Sequence, residues 1–276
     1  MPTKFLVGIV AKICHFRRKS MNIAVSNLAY QGLFTNRLMK LPMDIGVEVY
    51  SETGSDFYWD HLLPKLMAGR TGPFTVHGPY QNIDLSAPDL DEKAVYGIYE
   101  WTFRLCRKYG AAHCVCHPYA YTPKGRMTET EIAHREALCL KRVVELNVMA
   151  KQYGVEMLVE NMFHKDGLLD QQGFERLFLP VEELNFLIDV GHAHIQDWDM
   201  DAMFAHLGAR IKGYHINDNF GDGDTHLFAF EGSYKWERFF ANYKKYTPEA
   251  TLVCEYISGS VPEIVESVER IRAALK

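Results

Sequence analysis

Hydrophobic and polar positions alternate along the chain in blocks of two kinds, starting at Met21. Short apolar runs of strand length recur, and a longer stretch with helical spacing follows each of them. The predicted strands are Asn22–Ser26, Ile45–Tyr50, Phe74–His77, Cys114–His117, Met157–Glu160, Phe186–Asp189, Ile211–His215 and Leu252–Tyr256. The predicted helices cover residues 32–40, 56–68, 91–109, 129–152, 172–179, 199–207, 234–245 and 261–275. The pattern therefore predicts strand–helix units in regular succession.

Eight such units without a break in composition indicate one parallel sheet. Crossovers between parallel strands are right-handed, and eight of them close into a barrel. A doubly wound open sheet is the alternative, but it usually has fewer strands and a glycine-rich first turn. Neither Gly-x-Gly-x-x-Gly nor a phosphate loop occurs in the chain, so the sequence does not support a nucleotide cofactor. The predicted fold class is α/β, a single (β/α)₈ TIM barrel.

The first twenty residues do not fit this pattern. An apolar stretch at 5–10 precedes the basic segment Phe16–Ser20, the reverse of the order in a signal peptide. We expect residues 1–20 to be an extension outside the barrel and residues 21–276 to form the barrel, and Met21 is a candidate translation start. Without the extension, 256 of the 276 residues remain, close to the roughly 250 of a typical barrel of this type.

Composition narrows the class of protein further. Thirty Lys and Arg against 35 Asp and Glu give a net charge of −5, which argues against nucleic acid as the partner. No run of about 18 apolar residues is present, so no transmembrane span is predicted. The six cysteines have no zinc-ribbon spacing and most lie in apolar runs, as buried reduced thiols do. This cysteine usage indicates a cytoplasmic protein.

Six consecutive predicted strands end in a side chain that can bind a metal. A lone histidine there is more often a hydrogen-bonded structural residue, whereas a lone buried carboxylate is costly. Since barrel strands all end at one face, the joint pattern predicts a site for a divalent cation of the Mn, Zn, Co or Mg type. The six residues are His77, His117, Glu160, Asp189, His215 and Glu255. His192 follows Asp189 by three residues, and Asp224 and His226 lie in the loop after strand seven.

The chain from Met21 onward resembles the xylose-isomerase-like TIM-barrel superfamily, which includes sugar (phosphate) isomerases and epimerases, and endonuclease IV. The matching motifs are Val-His-Gly-Pro-Tyr (76–80), His-Pro (117–118), Val-Glu-Asn (159–161), Ile-Asp-Val-Gly-His-Ala (188–193), His-Ile-Asn-Asp-Asn (215–219) and Asp-Thr-His-Leu (224–227). The resemblance implies that Glu160, Asp189, His215 and Glu255 hold one metal ion. It implies further that His77, His117, His192, Asp224 and His226 bind additional metal or substrate, with His192 contacting substrate.

This resemblance also implies a reaction. The expected protein is a divalent-metal-dependent isomerase or epimerase of a sugar or sugar-like hydroxy-carbonyl compound, often a dimer or tetramer in relatives. Glu160 and Glu255 would exchange a proton with the carbon next to the carbonyl. In the alternative, both glutamates are metal ligands only, and a water or another base carries the proton.

Two other functions stay open. In the endonuclease IV branch nine residues hold three zinc ions, and this chain matches all nine, although its acidic balance argues against a DNA substrate. A barrel that binds a sugar without converting it would lack a ligand or a base, and none is lacking here.

Three further positions near the expected site have open assignments. Glu48, in strand two, either supports the third-strand histidine, binds substrate or forms a structural salt bridge. Phe228 and Phe230 stand where isomerase relatives commonly have Pro and Gly. They are expected either to line and narrow the pocket mouth or to change the path of the loop.

Overall fold

The computed structural model describes residues 22–30, 34–119, 127–164 and 168–276. The predicted extension at residues 1–20 lies outside these residues, so the domain boundary at residue 20 stays a prediction. Cys14 also lies outside them. Within the described part, no helix is long and apolar enough to cross a membrane.

Eight parallel strands form a closed barrel in which each strand pairs with its neighbour in the sequence and β1 pairs with β8. The strands are β1 (Ile23–Ser26), β2 (Gly46–Tyr50), β3 (Phe74–His77), β4 (Cys114–Cys116), β5 (Met157–Glu160), β6 (Asn185–Asp189), β7 (Ile211–Ile216) and β8 (Thr251–Cys254). They match the eight predicted strands within two residues at each end. The prediction of a single (β/α)₈ barrel is confirmed.

Helices connect the strands and cover the outside of the barrel. They are α1 (Asp56–Met67), α2 (Glu92–Tyr109), α3 (Glu129–Gln152), α4 (Gln171–Phe178), α5 (Val190–Ile195), α6 (Met200–Leu207), α7 (Trp236–Tyr246) and α8 (Val261–Ala274). Capping boxes at Thr128 and Ser260 start α3 and α8, because each side chain accepts a hydrogen bond from an otherwise unpaired backbone N–H group.

The structure differs from the predicted helices in two places. The first predicted helix, 32–40, is wrong in type: Thr35–Lys40 forms a 3₁₀ helix whose N-cap residue, Phe34, makes no capping hydrogen bond. The short helix α5 was not predicted, and Asp189 caps it by accepting a hydrogen bond from the backbone N–H of His192 at 2.7 Å. One residue thus ends β6 and starts α5.

The core has two parts. Most buried apolar residues lie between the strands and the helices, among them Trp59 and Phe103, whereas Val115, Leu158 and Leu187 form a separate cluster inside the barrel. Strand side chains alternate between the two faces of a sheet. The residues two positions after these three, His117, Glu160 and Asp189, are therefore also directed into the barrel.

The five described cysteines are buried free thiols. The cytoplasmic location stays a prediction.

Candidate metal centre

Four buried side chains from β5 to β8 converge at the mouth of the barrel. Glu160, Asp189, His215 and Glu255 each offer a ligand atom, and these atoms all lie within 4.8 Å of one another. His215 Nδ1 is 3.0 Å from Glu160 Oε1, 3.2 Å from Glu255 Oε2 and 3.8 Å from Asp189 Oδ2. The four residues that the resemblance assigns to one metal ion therefore lie together, as one donor group.

The carboxylate of Glu48, outside this group of four, orients the ring of His215. His215 Nε2 donates a hydrogen bond to Glu48 Oε1 at 3.1 Å, and Thr75 Oγ1 donates to Glu48 Oε2 at 2.9 Å. Such an outer carboxylate fixes the ring plane of a metal-binding histidine and determines which nitrogen is free to bind. Nδ1 is thus left to face the other three donors. Among the assignments left open for Glu48, support of a histidine is the one that the structure shows, but this histidine is His215 of β7 and not the third-strand His77.

Two asparagines hold Asp189, and neither was predicted as a site residue. Asn161 accepts from the Asp189 N–H at 2.7 Å and donates to the Asp189 carbonyl at 3.1 Å. Asn217 Nδ2 donates to Asp189 Oδ2 at 2.8 Å. A Cβ atom on Gly191 would lie 1.9 Å from Asn217 Oδ1, so this position requires glycine. Both asparagines directly follow or closely follow a ligand in the quoted motifs, which is the signal that sequence reading could have used.

A second donor group consists of His77, His117 and Glu160. His77 Nδ1 donates to the Gly78 carbonyl at 2.8 Å, which leaves its Nε2 facing His117 Nε2 at 3.2 Å. His117 Nε2 is also 2.7 Å from Glu160 Oε2. Burial, helped by His117, lowers the pKa of His77 to about 3. His77 is therefore neutral at physiological pH, the state in which imidazole binds metals.

The third donor group is His192, Asp224 and His226. Each histidine donates its Nδ1 hydrogen to a backbone carbonyl, that of Asn161 at 2.8 Å and that of Glu255 at 2.7 Å, respectively. Each Nε2 then faces Asp224 Oδ2, at 3.4 Å from His192 and 3.1 Å from His226. His226 has φ +46°, a left-handed conformation, and such strain is retained at functional sites.

The buried charges shift the pKa values of the two candidate catalytic glutamates in opposite directions. Burial raises the pKa of Glu160, but the attraction of His215 and His117 outweighs burial and holds it well below the usual range. Burial raises the pKa of Glu255 to about 7, because the attraction of His215 and His226 is too weak to offset it. The two carboxylates therefore differ in protonation near neutral pH.

A cavity of about 280 Å³ opens onto these donors. It is lined by Leu28, Tyr50, His77, Tyr80, His117, Glu160, Met162, Phe163, His192, Asp224, His226, Glu255 and Ile257. Phe228 and Phe230 are not among the lining residues: Phe228 packs on Tyr256 at 4.5 Å and Phe230 on Trp236 at 5.6 Å between ring centroids. Of the two alternatives for these phenylalanines, the structure does not show lining of the cavity, and an altered path of the loop stays a prediction.

The donor atoms fit a divalent cation. Asp224 Oδ1, a buried carboxylate oxygen of the third donor group, makes no hydrogen bond to any residue that the structure describes. Glu160 Oε2 lies 2.7 Å from His117 Nε2, and both atoms belong to the second donor group. Burying several carboxylates without compensation is costly, and mixed imidazole and carboxylate sets bind Zn²⁺ and related ions.

Solved structures with the same fold cover nearly the whole chain. A D-tagatose 3-epimerase-like protein has a TM-score of 0.74 at 18% identity, covering 92% of this chain and 97% of that one. D-psicose 3-epimerase from Clostridium cellulolyticum H10 with D-tagatose scores 0.72 at 14%, covering 93% and 100%. The IolI protein with a bound zinc atom scores 0.73 at 12%, covering 92% and 96%. At these identities the similarity establishes the fold.

Sequence comparison gives the family. An uncharacterized protein of Methanocaldococcus jannaschii is 23% identical over 137 residues, which span 50% of this chain and 53% of that protein. The matched region thus covers about half the length of this relative. The sequence profile of the xylose isomerase-like TIM barrel family matches residues 62–275. The match extends over most of the chain, from α1 into α8, and the protein belongs to the xylose isomerase-like TIM barrel family.

Proposed function

We propose that the protein is a divalent-metal-dependent isomerase or epimerase of a sugar or sugar-like hydroxy-carbonyl compound. One observation carries this proposal: Glu160 and Glu255 line the same cavity and approach the same nitrogen, His215 Nδ1, at 3.0 and 3.2 Å. Glu160 ends β5 and Glu255 directly follows β8, and these two strands are not neighbours in the barrel. Two carboxylates at one site suit a reaction in which one removes a proton and the other returns it.

Glu160, Asp189, His215 and Glu255 would hold the ion. A divalent cation supplies Lewis acidity, which stabilises the negative charge that develops on the carbonyl and hydroxyl oxygens of such a substrate. The separated pKa values of the two glutamates suit the exchange of a proton, since Glu160 is ionised and the pKa of Glu255 is about 7. His192, which lines the cavity, would contact a substrate hydroxyl.

The cavity favours a small substrate, and the loop cations that could reach a phosphate group, Lys124, Arg126 and Lys165, lie outside the described residues. Its volume of about 280 Å³ is just below the roughly 300–1,000 Å³ of small-molecule pockets. None of the described residues that line it is lysine or arginine. A phosphorylated or polyanionic substrate is usually held by such cations. The solved structures of the same fold include a D-tagatose 3-epimerase-like protein and D-psicose 3-epimerase, which supports a sugar as the substrate.

Hydrolysis of a phosphodiester is the second candidate, because the three donor groups, two of which share Glu160, together contain the nine residues of a three-metal site. This arrangement is the one that the resemblance to endonuclease IV implies. The net charge of −5 and the small cavity favour the sugar reaction, since a DNA enzyme neutralises several phosphates.

The test combines metal analysis with an isotope assay. The purified protein is analysed for metal content and incubated with a panel of ketoses and aldoses in D₂O, and deuterium incorporation at carbon is followed by NMR. We expect exchange that depends on the metal and is lost in E160Q and E255Q. E156Q is the matched control, because Glu156 is exposed and precedes the same strand, β5.

The outcomes separate the two candidates. Deuterium exchange with sugar and none in E160Q or E255Q supports the isomerase, and exchange that survives in both variants would contradict the two-base mechanism. Cleavage of abasic duplex DNA by protein containing three zinc ions per chain, with no exchange on any sugar, would replace the isomerase by the nuclease.

A further inference from the structure

We propose that Tyr50 is a positioning residue that determines how Glu255 presents its carboxylate to the metal, an inference that rests on the metal centre proposed above. Tyr50 is the last residue of β2 and is 7% exposed. Its hydroxyl donates a hydrogen bond to Glu255 Oε1 at 2.5 Å, whereas Glu255 Oε2 lies 3.2 Å from His215 Nδ1. The two oxygens of Glu255 therefore have different partners: Oε1 is held by Tyr50 and Oε2 faces the donor group.

The ring of Tyr50 also fixes a residue of the second donor group. Tyr50 and His77 are paired across β2 and β3, and their rings stack with centroids 4.0 Å apart and planes 10° apart. The Nδ1 hydrogen of His77 is already held by the Gly78 carbonyl. Stacking thus fixes the ring plane of His77, whose rotation is already limited by its hydrogen bond to the Gly78 carbonyl. Tyr50 contacts one residue from each of two donor groups.

The backbone of Tyr50 is anchored on both sides. Its N–H donates to Asn27 Oδ1 at 3.0 Å, and its carbonyl accepts from Thr53 Oγ1 at 2.8 Å. Asn27 in turn donates to Thr35 Oγ1 at 2.9 Å. These bonds fix the backbone at the end of β2, and stacking on His77 holds the ring that carries the hydroxyl.

This geometry has a consequence for coordination. A hydrogen bond to one oxygen of a carboxylate orients the group and favours binding of an ion through its other oxygen. Without the Tyr50 hydroxyl, Glu255 Oε1 loses this hydrogen bond, and the carboxylate is free to rotate or to bind through both oxygens. Loss of an outer partner typically weakens metal binding by about 10- to 100-fold. The hydroxyl of Tyr50 therefore supports both the affinity and the geometry of the site.

The experiment compares two Tyr→Phe variants loaded with cobalt(II). Y50F keeps the ring that stacks on His77 and removes only the hydroxyl. Y256F is the matched control, because Tyr256 is next to Glu255 and fully buried, yet its hydroxyl bonds to Ser267 Oγ at 2.8 Å and not to the site. Cobalt affinity is measured by competition with a chelator, and coordination by the visible absorption spectrum.

We expect Y50F to bind cobalt about tenfold more weakly and with an altered visible spectrum, while Y256F matches the wild type in both. Wild-type affinity and spectrum in Y50F would overturn the role of Tyr50, and an equal change in Y256F would reduce it to a general effect of losing a buried hydroxyl. If the wild type itself binds no cobalt, the metal centre fails, and the proposed function fails with it.

A second measurement needs no variant. In a crystal structure of the wild-type protein loaded with cobalt, Glu255 is expected to bind through one oxygen while the other stays on the Tyr50 hydroxyl. Coordination through both oxygens of Glu255, with the Tyr50 hydroxyl displaced, would contradict the proposal even if Y50F does not fold.

Discussion

Inside the barrel an apolar layer of side chains lies below a donor layer that is able to bind metal, and the same three strands contribute to both. At β4, β5 and β6 an apolar residue is followed two positions later by a donor, and the donor layer also contains His77, His215 and Glu255. Both layers are buried, with no member more than 8% exposed. The pairs are Val115 and His117, Leu158 and Glu160, and Leu187 and Asp189.

The difference between these layers shows how one backbone pattern supports both stability and function. Alternation directs both residues of each pair to the barrel interior. The apolar layer stabilises the fold by about 25 cal/mol per Å² of buried apolar area. The donor layer buries charged groups, which destabilises the fold unless hydrogen bonds or a cation offset the cost. Changes in the two layers should therefore affect different measurements.

The largest effect is expected for Glu160, which belongs to two of the donor groups. E160Q should lower turnover by about 100- to 10,000-fold, the usual contribution of general acid–base catalysis, and should reduce the metal content. Its melting temperature should also fall, because His215 and His117 lose the buried carboxylate whose pKa they hold low. Metal content and thermal unfolding of the purified variant test this, and a metal content equal to that of the wild type would contradict it.

Leu158, two residues before Glu160, should behave differently. L158A removes a fully buried side chain and should lower the free energy of unfolding by about 2–5 kcal/mol, as large-to-small core substitutions do. The metal content per folded chain should stay at the wild-type value. Chemical denaturation and metal analysis are the measurements, and loss of metal without loss of stability would show that the two layers are not separable.

The sequence predicted the architecture and most of the donor layer because both depend on local pattern. A residue such as Glu160 or Asp189 stands out at the end of an apolar strand, and parallel strands in a barrel all end at one face. Pairing between β1 and β8 required no further information once eight units were recognised.

The residues that hold the donors could not be read in this way. Tyr50 ends an apolar run and looks like any buried strand residue, and its partner Glu255 is 205 residues away. Glu48 contacts a histidine 167 residues away instead of the neighbouring strand's His77. Helix α5 was missed because Asp189 both ends a strand and caps a helix. The contacts of Tyr50 and Glu48 follow from barrel closure, which brings distant strands together and which the local sequence pattern does not specify.

Metal affinity should depend on pH because the donor layer holds protons that a cation must displace. Burial lowers the pKa of His215, but Glu255, Glu160 and Glu48 outweigh burial and raise it well above the usual value. The pKa of Glu255 is raised to about 7. Both groups therefore carry protons at pH 6 and must lose them on binding, so affinity rises with pH, by up to about tenfold per pH unit for each proton released. Zinc or cobalt affinities at pH 6, 7 and 8 test this, and a flat profile would show that these groups are not ligands.

The smallest expected effect concerns Gly213 of β7, two residues before His215. A Cβ atom there would lie 3.2 Å from Leu187 Cδ1 and 3.3 Å from both Leu158 Cδ1 and His113 Cε1. Three close neighbours leave little room, so G213A should destabilise the fold by about 1–3 kcal/mol through overpacking. The nearest atoms belong mainly to the apolar layer, so cobalt affinity and spectrum should stay at their wild-type values. A G213A protein of normal stability with weakened cobalt binding would mean that a strain of this size passes from the apolar layer to His215, and the two layers would then have to be treated as one unit.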